Sequence, residues 1–237
     1  MAFDNQSLPG TIAQPRVEIR PLMRQVYRWM ALGLLLTATV SLLVVNIPAL
    51  TQLILNPVVF FGAIIGELVL VIALSARIQK MSATTAITMF MVYAGVNGFT
   101  LSIIFFAYEL GSIGLAFGTA AILFGVMSVI GMTTNIDLQK YSSYFMMAVI
   151  GLIIAMVLNI FLASGPLDFI ISAAGVLIFT ALTAYDTQKL YRMAADPQIT
   201  GQGDALMGKL SIMGALRLYL DFINLFLFLL RLMGGRR

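Results

Sequence analysis

The sequence predicts an all-α polytopic membrane protein with seven transmembrane helices. Three observations carry this. Of the 237 residues, 60% are hydrophobic and only 10% are charged, where soluble domains run to about a quarter charged. The mean hydropathy is +0.99. The apolar residues also gather into long runs, and the chain length suits about seven helices of ~20 residues with short connections. No cysteine or histidine is present. That excludes disulfide and thiolate chemistry, and it removes the commonest general base, the usual zinc ligand and the usual pH switch. Proton chemistry near neutrality must then come from carboxylates or lysines. The net charge of +4 reads as loop charge and not as a nucleic-acid surface.

Residues 1–26 read as a polar cytoplasmic tail with Pro9, Gly10, Pro15 and Pro21, mostly disordered and without a signal peptide. Arg16, Arg20, Arg24 and Arg28 recur every four residues, as a positive-inside anchor or a basic face on anionic lipid. The transmembrane domain covers residues 27–235. Its first helix is expected over residues 29–47, ending at Asn46 and Pro48. The second, over 58–76, follows Asn56-Pro57 and holds Gly62-x-x-x-Gly66, a spacing that permits close helix approach. Glu67 lies in its middle, and Arg77 and Lys80 close the run. The third lies within 84–106 and carries Asn97; the fourth runs over 112–132 with Gly114-x-x-x-Gly118; the fifth covers 144–162 with Asn159. Gly165-Pro166 turns the chain into a sixth helix over 167–187. A polar cytoplasmic connector, 188–209, precedes the seventh at 210–232.

Lys and Arg set the orientation. The tail, the 2–3 loop (Arg77, Lys80), the 4–5 loop (Lys140) and the 6–7 connector (Lys189, Arg192, Lys209) carry them; the other loops carry none. The N-terminus is therefore expected in the cytoplasm. Seven crossings put Arg231, Arg236 and Arg237 outside, against the rule. Either the seventh helix crosses regardless, or it re-enters and returns; its length favours crossing.

The candidate site starts from Asp221, which sits about eleven residues inside the last helix, ~16 Å from its start. A carboxylate at that depth costs several kcal/mol, of order ~3 on insertion scales, and implies a partner or a task. Arg217, Asp221, Asn224 and Arg231 share one stripe of the seventh helix at about 100° per residue, and Asp168, Ser172, Thr183 and Asp186 share one of the sixth. Two polar stripes, both bearing acids, read as walls of a hydrated path or as a buried polar seam. The plainer reading pairs Asp221 with Arg217 one turn away, and Asp186 with Lys189. Glu67 is roughly level with Asp221, on a different face from Arg77. Two facing carboxylates in a low dielectric share a proton. Ionised, they make a hard oxygen site, but they offer at most about four of the six to eight oxygens that Ca²⁺ wants. Binding at Asp186 and Asp221 would be weak and transient, which suits conduction.

At these residues the chain resembles the Bax inhibitor family, the transmembrane Bax-inhibitor-motif proteins. The matching pieces are T-A-Y-D-T-Q-K-L at 183–190, L-Y-L-D-F-I-N-L-F-L-F-L-L-R at 218–231, G-E-L-V-L-V-I-A-L-S at 66–75 and, more weakly, Q-V-Y-R-W-M at 25–30. The short tail resembles the bacterial branch, which implies the inner membrane. The resemblance implies a fold with the last helix central and six around it. It implies a pH-sensitive calcium leak in which Asp186 and Asp221 form the sensor, Glu67 lies on the ion path, and an arginine of the second helix, here Arg77, latches the pair. Ca²⁺ would be the transported ion and no cofactor is expected. The long connector departs from the family pattern. The alternative is a non-transporting regulator that binds a quality-control protease or stress-response protein. An enzyme is not expected, since no Gly-x-Ser-x-Gly or zinc motif is visible.

Overall fold

The computed structural model describes residues 20–196 and 204–235. Among these residues seven helices are long and apolar enough to cross a membrane: α1 (Arg20–Asn46), α2 (Pro57–Arg77), α3 (Ala83–Leu101), α4 (Leu110–Thr133), α5 (Ser142–Leu162), α6 (Gly165–Ala195) and α7 (Asp204–Met233). Their starts follow local chemistry. Asn56 accepts from the Val58 N–H at 2.9 Å ahead of Pro57. Ser82 accepts from the Thr85 N–H at 3.0 Å. Ser164 does the same for Leu167 at 3.4 Å, with proline in the first turn. Each cap answers backbone donors that a helix start leaves without partners. At the tight α5–α6 turn Ala163 takes a left-handed conformation, φ 46°, and Asn159 accepts from Ser164 N–H at 3.1 Å.

α7 is the axle. Of its most apolar stretch 72% is buried, against 6% for α2 and for α5. α1, α3, α4 and α6 pack against it; α2 packs on α3, and α5 on α6. Lipid removes any hydrophobic drive between helices, so close approach depends on small residues and shared hydrogen bonds. The glycines that mediate approach are not those of the two G-x-x-x-G pairs. Gly62, Gly66, Gly114 and Gly118 have no atom within 4 Å of where a Cβ would sit. A Cβ on Gly98 would lie 2.5 Å from the Thr37 carbonyl oxygen of α1, and one on Gly131 would overlap the Ala184 carbonyl oxygen of α6. Gly175 lies flat under the Phe228 ring of α7.

The helix ends differ from expectation at two places. α1 begins at Arg20, inside the stretch expected as tail, because Leu22, Met23, Val26 and Met30 form a buried stripe. Residues 1–19, with Arg16, lie outside the described residues. α6 runs on to Ala195 and α7 starts at Asp204, so most of the stretch 188–209 expected as connector is helix. Its hidden reason is Gln188, Leu190 and Ala194, all buried on the core side of an otherwise polar segment. A short helix, Pro48–Leu55, also bridges α1 and α2. α7 runs the height of the bundle: the Gly235 N–H donates to Ser112 at the start of α4, at 3.2 Å, while Gly214 packs on Val26 and Leu190 towards the other end.

Candidate functional site

The motif at 183–190 lies on α6, where successive side chains turn by about 100°. Four consecutive residues therefore reach four different neighbours. Tyr185 donates to Ser142 of α5 at 3.1 Å. Asp186 accepts from Arg217 of α7, 3.3 Å. Thr187 meets Ser128 of α4, 3.4 Å. Gln188 holds the α4–α5 loop at both faces: its amide nitrogen donates to the Ile136 carbonyl, 2.7 Å, and its oxygen accepts from the Leu138 N–H, 2.9 Å. Arg192 and Asp137 add an exposed ion pair to the same strap. Gln188 was missed by reading the sequence for charge alone. Gln188→Ala leaves two backbone groups of the loop without partners, at about 1–3 kcal/mol. Limited proteolysis within residues 134–141 should speed up accordingly, and an unchanged cleavage rate would refute the strap.

Between α5, α6 and α7 lies a chamber of about 370 Å³. Its polar wall is Asp186, Arg217, Asp221 and Asn224. Asp221 is 5% exposed, and its Oδ2 has no hydrogen-bond partner. The Asn224 amide donates to the Leu220 carbonyl at 2.8 Å, which leaves its oxygen as an acceptor. Asp186 and Arg217 also line a second cavity of about 360 Å³ that carries Tyr185, Lys189 and Ser142. The ion pair therefore stands at the partition between chamber and vestibule. Lys189 is placed over the Tyr185 ring, 5.9 Å from its centroid, and not on Asp186.

At the far end a third cavity of about 420 Å³ holds Asp168, Asn159 and Arg231. Met156 lines both this cavity and the chamber. Arg231 lies 3.6 Å from Asp168 and 5.7 Å from the Phe228 ring centroid. Asp168 and Asp186 are eighteen residues apart on α6, five turns or ~27 Å, close to the ~30 Å of a bilayer's hydrocarbon core. The acid–arginine pairs thus recur near both ends of the apolar slab. The sequence signal was that spacing, an acid pair and an arginine pair each returning to one helix face.

Two other expected site residues are not brought to the chamber. Glu67 accepts from Thr100 at 2.5 Å and from the Asn97 amide at 3.5 Å. Asn97 in turn accepts from the Tyr219 hydroxyl, 2.8 Å, which lies 2.7 Å from Thr37. This network joins α1, α2, α3 and α7. It leaves α7 two residues before Asp221, about 200° around the helix. Arg77 is exposed at the end of α2 and lines none of the three cavities. The cation beside Asp186 is Arg217, which the plainer sequence reading had placed with Asp221.

Residues 19–237 match the family described as "Inhibitor of apoptosis-promoting Bax1". The chain is 46% identical over 228 residues to "Inner membrane protein YbhL" of Escherichia coli K12, covering 96% of this chain and 97% of that one. A Deinococcus radiodurans protein is 40% identical over 236 residues and the whole length of both chains. "Uncharacterized membrane protein SpyM3_0260" of Streptococcus pyogenes is 36% identical over 226 residues, 93% of this chain and 95% of that one. With seven apolar helices, the last of them central, and an acid at the heart of that last one, this integral membrane protein belongs to the Bax inhibitor family.

Proposed function

We propose that the protein is a pH-sensitive, calcium-permeable leak path of a bacterial inner membrane, with its N-terminus in the cytoplasm. The carrying observation is Asp221: a buried carboxylate, one of its oxygens unpartnered, on the wall of a chamber that the Asp186–Arg217 pair separates from a vestibule. With every group ionised, Asp186, Arg217 and Asp221 sum to one negative charge. A proton cancels it and a passing Ca²⁺ more than offsets it, so the two compete for one place. Ca²⁺ finds few oxygens there, against the six to eight it prefers, and leaves easily, as conduction requires. Three cavities in series along α6 and α7 supply the rest of the route. The name of the Escherichia coli relative supports the inner membrane.

Ca²⁺ flux into proteoliposomes over a pH series through neutrality tests this. Wild-type flux should vary with pH, and the Asp186→Asn/Asp221→Asn variant should lose both that dependence and most of the flux. Equal leakage from the two proteins would sink the reading. Glu67→Gln should leave the pH dependence in place, since its network lies on the other side of α7.

A further inference from the structure

The chamber has a property that ion conduction does not use. Apart from its four polar residues, its walls are apolar: α5 contributes aliphatic side chains and no charge, and α6 adds Phe179 and Leu182. The charged groups that line it are Asp186 on α6 and Arg217 and Asp221 on α7. Asp186 and Arg217 answer each other at 3.3 Å. With every group ionised, one charge, on Asp221, is left over. Its Oδ2 is buried without a partner, which in a low dielectric is costly, and the residue stands on the chamber wall.

A divalent ion suits this room poorly. It would turn a net charge of minus one into plus one, and the apolar walls offer it no oxygens. A monovalent cation that carries its own apolar surface matches both halves. At about 370 Å³ the chamber falls within the range of pockets that enclose small organic ligands, mostly apolar with a few placed polar groups.

We propose that the chamber between α5, α6 and α7 is a binding site for hydrophobic monovalent organic cations, the charged nitrogen resting on Asp221 and the apolar body lying against Leu152, Phe179 and Leu182. Such a molecule occupies the route proposed for Ca²⁺, so on that reading it blocks the leak. Binding itself rests on Asp221 and the chamber alone, and it can succeed or fail independently of the leak.

Benzyltrimethylammonium is a suitable probe because neopentylbenzene has its shape without its charge. Calorimetry on the full chain in lipid nanodiscs should show saturable binding of the cation, at least tenfold tighter than of the neutral isostere. Affinity should fall as the pH is lowered, because a proton on Asp221 removes the one unbalanced charge. Asp221→Asn should cost tenfold or more. Should that variant fold poorly, Val149→Trp narrows the chamber from its partly exposed α5 wall and should weaken binding while Asp221 stays intact. Equal affinity for cation and isostere, wild-type affinity in Asp221→Asn, or no saturable binding to folded wild type would each overturn the proposal. Flux assays run separately distinguish it from the leak: a pH-dependent leak that the cation neither blocks nor binds defeats this inference only.

Discussion

Arg217→Met is expected to be the most damaging single change on the chamber wall. It leaves Asp186, whose side chain is 13% exposed, facing Asp221 across an unneutralised chamber. The local charge goes from minus one to minus two. Breaking a fully buried ion pair from one side costs about 3–5 kcal/mol. Arg217 is 39% exposed, so solvent screening brings the expected loss down to about 2 kcal/mol. The effect is conditional on Asp186. Asp186→Asn combined with Arg217→Met should recover most of the loss, because the double variant carries neither the stranded acid nor its partner. Thermal unfolding of the four proteins in detergent gives the coupling directly. If Arg217→Met and the double variant unfold together, Arg217 does not hold Asp186.

Gly131→Ala should rival that loss without touching a charge. The new methyl group would overlap the Ala184 carbonyl oxygen, an atom of helix backbone that has no rotamer to yield. α4 and α6 must part, and overpacking of this kind costs about 1–3 kcal/mol or more. Ala184 precedes Asp186 by two residues, so the shift carries the ion pair with it. The matched control is Gly118→Ala, where the Cβ enters open space and helix propensity alone favours alanine by up to ~1 kcal/mol. The two variants should move the unfolding temperature in opposite directions. Equal behaviour would remove the close α4–α6 contact from the account.

The contrast between those glycines shows what the sequence could and could not yield. The seven spans were legible because apolar length is a local property; that Asp186 and Asp221 line one chamber follows the polar stripes of their helices, although Asp186 pairs with Arg217. Which glycines touch a neighbour was not legible. Gly62-x-x-x-Gly66 has the spacing for contact, but α2 turns it away from its neighbours, whereas Gly131 stands in no such motif and carries the closest approach. The same limit explains Arg77 and Arg217. Both are basic residues within reach of the membrane, and only the lateral order of the helices decides which one faces Asp186. Glu67 had the right depth for the ion path, but depth fixes one coordinate and its azimuth belongs to α3. Gln188 read as the start of a connector because a polar side chain near the membrane edge looks solvated until its loop partners are seen.

The central place of α7 also bears on how the protein is made. The axle is the last of the seven spans to be synthesised. Until Asp204–Met233 enters the membrane, α1, α3, α4 and α6 have no common surface to pack on. Through that interval Asn97 lacks Tyr219 and Asp186 lacks Arg217, so polar groups wait in lipid for partners not yet translated. Assembly of the bundle is therefore a late event, set by the arrival of α7, and it proceeds by the six earlier helices closing around it.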